Sequence, residues 1–147
     1  MTERWRCDSC GQDIDSVEDI RVEWLRKMDT QKLFGLRIVH NDKRCMYNAR
    51  YEQSENNALP SYMQLSSSNP QDELISLLEM ISDGQFENND KVLEVIKRLF
   101  ITDYEVARLY FEDASSEGYF EPKTKPGFYK ASDIERTMDY IRDEGIY

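Results

Sequence analysis

The chain has 147 residues, of which 33% are charged and 39% apolar, and its net charge is −10. A chain of this length buries roughly 70% of its unfolded surface on folding, so a core forms without disulfides. No apolar run approaches the roughly 20 residues of a membrane helix, and the first fifteen residues are polar, unlike a secretory leader. Three cysteines cannot pair among themselves, so the expected compartment is the reducing cytoplasm.

The charge is unevenly placed. Residues 1–51 carry ten basic and nine acidic groups, whereas residues 52–147 carry nine basic and twenty acidic ones. The acidic part repels a phosphate backbone, which argues against a nucleic-acid ligand there.

In chain order, residues 4–11 (RWRCDSCG) read as a short strand entering a tight turn, with Gly11 freeing the backbone so that amides point at sulfur. Residues 20–26 place Ile20, Val22 and Trp24 on one face. Residues 34–40 place Phe34, Leu36, Ile38 and His40 on one face. Period-2 apolar spacing predicts two half-buried strands joined as a hairpin across 27–33, with His40 on the core side. A short helix is expected near Cys45, over 44–51.

Residues 52–70, with Ser66, Ser67, Ser68 and Asn69-Pro70, read as a linker, which Leu59, Tyr62, Met63 and Leu65 would strap to a neighbouring part. From residue 71 the spacing is helical. Leu74, Ile75, Leu78 and Ile81 form one stripe up to Gly84. Val92, Val95, Ile96 and Leu99 form the next, with Asn88 or Asn89 as N-cap. Thr102-x-x-Glu105 is a capping box that predicts a helix over 103–117, with Gly118 as its stop. Residues 119–129 read as a turn-rich excursion or hairpin. Ser132-x-x-Glu135 opens a final helix striped by Ile134, Met138 and Ile141. The expected architecture is α+β: a metal-stapled β-hairpin module over 1–51, a linker over 52–70, and an acidic helical domain over 71–147. That domain would pack with the module and has the element order of a winged helix.

All three cysteines and the single histidine lie within the first 45 residues, as Cys7-x2-Cys10 and His40-x4-Cys45. Thiolate and imidazole pairs at this spacing suit zinc, which structural sites close with four protein ligands. Asp42 is the substitute ligand if His40 is not one. The competing readings are three small buried thiols with a core histidine, Cys7 and Cys10 being a chance pair, and a redox Cys-x-x-Cys, which lacks the surrounding βαβ pattern. On Cys7, Cys10, Gly11, His40 and Cys45, residues 5–48 resemble a zinc ribbon or treble clef. Members of those families often carry a second Cys-x2-Cys where this chain has His-x4-Cys. The resemblance implies one structural Zn2+.

A closed four-ligand site leaves no position for water and uses every Cys and His. No nucleophile–His pair and no free histidine then remain for acid–base work. The six glycines form no phosphate loop. The expected protein is therefore not an enzyme. It is an interaction or regulatory protein directed at a basic protein partner. One form is an acidic inhibitor of a nucleic-acid-binding enzyme, of the kind phages and prophages encode. The alternative is a zinc-ribbon and winged-helix transcriptional regulator. Its reading helix, 103–117, would carry five acids and one Arg108, which opposes contact with DNA. The expected partner face is Asp103, Glu105, Glu112, Asp113, Tyr119, Phe128 and Tyr129, outside an inward set of Val106, Leu109, Tyr110 and Ala114. The competing reading assigns the aromatics to a core.

Overall fold

In the computed structural model, residues 4–65, 69–123 and 125–146 are described, and they form a mixed α+β fold. Strands β1 (Trp5–Arg6) and β2 (Asp13–Ile14) pair antiparallel around the turn that carries Cys7 and Cys10. Gly11 in that turn has φ +78, a conformation that costs glycine little. The expected hairpin follows as β3 (Ile20–Lys27) and β4 (Leu33–His40), in register from Ile20↔His40 to Arg26↔Leu33. A register shift falls between Glu23 and Leu25, and Gly35 on β4 has φ +67.

Strand β3 is not an edge with one wet face. The sheet order is β4-β3-β5, and β5 (Ala58–Gln64) pairs with β3 from Arg21↔Gln64 to Lys27↔Ala58. Ile20, Val22, Glu23, Trp24 and Leu25 are all buried, so both faces of the strand are covered there. This corrects the linker reading of 52–70. That range holds the end of α1 (Ala49–Asn56), capped by the Asn48 side chain, and then the third strand. Pro60 hides the strand in the sequence, yet an edge strand tolerates proline because one side needs no ladder donor. Ser66, Ser67 and Ser68 lie outside the described residues.

Compact units divide at Ile96 and Lys97, within α3 (Asn89–Phe100), and not at the expected linker. In the first unit α2 (Gln71–Ser82) buries Leu77. The stripe expected inward is only half-buried at Leu74 and Ile81 and is exposed at Ile75 and Leu78. Helix α3 opens as expected, with the Asn88 side chain accepting from the Asp90 N–H at 2.9 Å.

In the second unit the expected helix 103–117 is broken. It forms α4 (Tyr104–Ala107) and α5 (Phe111–Ser116), and Asp103 enters at φ +65 with no side-chain cap. Glu105 does not serve a capping box with Thr102. Its carboxylate accepts from Arg98 at 2.7 and 2.8 Å and from Arg108 at 2.5 Å. Tyr104, Ala107, Phe111 and Ile134 form the core of this unit, with Phe120, Tyr129 and Met138 against it. Among the described residues of 119–130 there are turns and bends but no strand, so of the two readings the turn-rich excursion is the one seen.

Helix α6 (Ala131–Asp143) starts as predicted, but its cap differs. Asp133, not Glu135, accepts the Lys130 N–H at 2.9 Å, and Lys123 pairs with the same carboxylate at 2.7 Å. Burial opposes ionisation of Asp133, but Lys123 and the Lys130 N–H together hold its pKa below the usual carboxylate value. A depressed folded pKa gives stability that is present above the unfolded value, about 3.9, and lost as pH falls through the folded one. Asp133→Asn is expected to cost about 1 kcal/mol at neutral pH. In urea unfolding, its difference from wild type should shrink below about pH 4. A difference that stays constant with pH would assign the effect to something other than this carboxylate.

Candidate metal centre

The knuckle is shaped by backbone contacts. The Cys7 N–H donates to Gln12 O at 2.9 Å and the Gly11 N–H to Cys7 O at 3.0 Å. This curl turns amides toward sulfur. The N–H groups of Ser9, Cys10 and His40 lie 3.4, 3.5 and 3.4 Å from Cys7 Sγ, and that of Gln12 lies 3.4 Å from Cys10 Sγ. Asp8 ties the knuckle to β4. Its N–H donates to Ile38 O at 2.7 Å, and its carboxylate accepts from the Ile38 N–H at 2.8 Å. The strap falls two residues before His40 and so carries the first ligand pair to the second. Cys45 sits in the following turn, with its N–H on Asp42 O at 2.9 Å and its carbonyl accepting from Arg37 at 3.0 Å.

The sulfurs of Cys7, Cys10 and Cys45 and a ring nitrogen of His40 all lie within 4.8 Å of one another. Such a cluster is sized for one metal ion. Among the described residues no other group of three or more His, Cys, Asp or Glu side chains converges in this way. His40 Nδ1 is 3.4 Å from Cys10 Sγ and 3.7 Å from Cys45 Sγ, while Nε2 is 3.0 Å from Asp13 O. A carbonyl accepts only, so Nε2 carries the proton and Nδ1 offers its lone pair to the cluster. Asp42, the substitute considered from the sequence, is engaged elsewhere. Its carboxylate accepts from the Arg44 N–H and guanidinium at 2.9 to 3.2 Å.

The surroundings push the Cys7 and Cys45 thiols in opposite directions. Burial opposes ionisation of Cys7, but the N–H groups of Cys10, His40 and Ser9 and the His40 ring outweigh it, bringing its pKa to about 6. Burial, then the sulfurs of Cys7 and Cys10, push Cys45 up to about 12. Three sulfurs this close resist joint ionisation, and a cation among them removes that resistance.

The residues expected as a partner face are separated by the structure. Glu112 and Asp113 are exposed on α5. Tyr119 is half-buried, and its hydroxyl donates to Asp143 at 2.7 Å. That hydrogen bond, burial and nearby acids push its pKa to about 12. Its ring meets Tyr140 edge-on at 5.3 Å. Burial, then Asp113, Glu144 and Glu117, raise the pKa of Tyr140, a half-buried tyrosine beside those acids. Glu105 is buried in its ion pairs, and Asp103 is half-buried at the entry to α4. Tyr129 is half-buried against the core, stacked on Phe111 at 3.8 Å. Phe128 is 48% exposed but rimmed by bases, with Lys97 and Lys125 at 5.0 and 4.8 Å from its ring. Of the expected inward set, Ala114 is buried, Val106 and Tyr110 are half-buried, and Leu109 is exposed. Ala107 and Phe111 take the inward positions because the helix breaks between them.

No helix among the described residues is long and apolar enough to cross a membrane. Compared with protein-family models, curated proteins and solved structures, the chain matches none of them.

Proposed function

We propose that this chain is a non-catalytic, zinc-stabilised interaction protein that engages a basic protein partner through the acidic, tyrosine-bearing surface of α5 and α6. The observation that carries this reading is the convergence of every cysteine and the only histidine on one four-ligand cluster. A closed site of that kind works as a staple, and it leaves no thiol or imidazole for covalent or acid–base chemistry. Zinc is favoured by the donor set and by spacing. Bond lengths of about 2.3 Å to sulfur and 2.05 Å to nitrogen put tetrahedral ligands about 3.6 Å apart. The His40–sulfur distances of 3.4 and 3.7 Å bracket that value. Metal analysis of protein purified without added zinc should return close to one equivalent of zinc.

The partner side of the proposal rests on Glu112, Asp113, Tyr119 and Tyr140, with Asp143 bonded to Tyr119. Tyrosines supply rigid contact area, and a surrounding negative field speeds encounter with a cationic surface. An inhibitor that occupies a nucleic-acid-binding groove fits this chemistry. Reversing Glu112 and Asp113 together to lysine should slow association with a basic protein partner and flatten its salt dependence. Stability should stay within about 0.5 kcal/mol of wild type, because both acids are exposed surface residues. Specific duplex binding in a low-salt mobility-shift assay would overturn the reading in favour of a DNA regulator.

A further inference from the structure

Helix α2 carries more apolar surface than it buries. Leu77 is fully buried, yet Ile75 is 61% and Leu78 47% exposed, and Leu74 and Ile81 beside them are only half-buried. Ile75 and Leu78 stand three residues apart and so form one patch on the helix surface. Asp72 and Glu79 stand three before and four after Ile75, which puts both acids along the same row. Between Arg50 and Lys91 the sequence holds no basic residue at all. The patch is therefore apolar with an acidic border and no local counter-charge on its own helix.

That charge pattern selects the occupant. A second copy of the chain laid on this face would bring Asp72 and Glu79 of both copies together with no lysine or arginine on either α2. An anionic membrane surface is repelled for the same reason. A helix whose leucine or isoleucine stripe is bordered by lysine or arginine satisfies both components: its stripe covers Ile75 and Leu78, and its basic border meets the acids. We infer that α2 is a docking face for a basic amphipathic helix of a partner protein. This inference is independent of the surface on α5 and α6.

The probe is a synthetic helical peptide with leucines at i, i+3 and i+4 spacing and a lysine border, added to the full chain. A scrambled peptide of the same composition is the control. Amide chemical shifts should move at α2 on titration, and the scrambled peptide should bind about tenfold more weakly or worse. Ile75→Ser with Leu78→Ser should weaken the ordered peptide about tenfold while the thermal midpoint stays at the wild-type value. Equal binding of the scrambled peptide, or binding that ignores the double substitution, overturns the inference. A concentration-dependent dimer that the double substitution abolishes also overturns it, because the face then serves a second copy.

Discussion

Stripping the metal with a chelator, or replacing Cys10 by serine, should unfold residues 5–48 preferentially and leave the core of residues 97–147 in place. The first two strands are two residues long each and pair only with one another, so the knuckle has little sheet of its own. It is held to β4 by the Asp8–Ile38 contacts and by the ligand cluster. Structural zinc supplies on the order of 10 kcal/mol in small zinc domains, far more than two hydrogen bonds contribute. The second unit has a core of its own, built from Tyr104, Ala107, Phe111 and Ile134. Hydrogen exchange should therefore show the amides of Cys7, Asp8, Ile38 and His40 losing protection first. Helix α6 should keep its protection. A metal-free chain with native exchange throughout would mean that the cluster is three packed thiols and a core imidazole, and the staple idea would fail.

What the sequence reveals here is what local signals encode. The hairpin is legible because alternation is a property of neighbours, and the cluster is legible because Cys7-x2-Cys10 and His40-x4-Cys45 are short spacings. Strand β5 is hidden, because Pro60 argues against a strand and only long-range pairing with β3 creates one. Glu105 reads as a capping residue because Thr102 stands three before it. Its actual partners, Arg98 and Arg108, include one from another helix, which no cap pattern records. The break between α4 and α5 falls on residues of ordinary helix propensity, so tertiary packing of Phe111 against Tyr129 and Tyr104 sets it. Asp8 looks like a solvated turn residue, and its clamp on Ile38 depends on two segments meeting. At α2 the stripe is legible but its direction is not, since periodicity says which residues share a face and not which face is covered.

Glu23→Gln should destabilise the first unit by about 3 kcal/mol, because it strands arginines around a buried site. Alternation places Glu23 on the face opposite Val22, as if toward water, yet Arg21, Arg37 and the Tyr47 backbone close over its carboxylate and the residue is 0% exposed. Its carboxylate accepts from Arg37 at 2.7 Å, from Arg21 at 3.3 Å and from the Tyr47 N–H at 3.2 Å. Those arginines are themselves fixed, Arg21 over the Tyr62 ring at 3.7 Å and Arg37 over Tyr47 at 3.8 Å. Arg37 also donates to the Cys45 carbonyl, so the network reaches the turn that carries the fourth ligand. An isosteric amide keeps the shape and removes the charge, which isolates the electrostatic part. Urea unfolding of Glu23→Gln, Arg37→Met and the double variant tests the coupling. The double variant should recover stability relative to the sum of the singles by 1 kcal/mol or more, roughly, as expected when each single leaves the other partner uncompensated. Metal affinity should fall in Glu23→Gln as well, since the Cys45 turn loses its anchored arginine. A Glu23→Gln chain within about 1 kcal/mol of wild type would show that Arg21 and Arg37 are satisfied without the carboxylate, and that the sheet does not depend on the pairing.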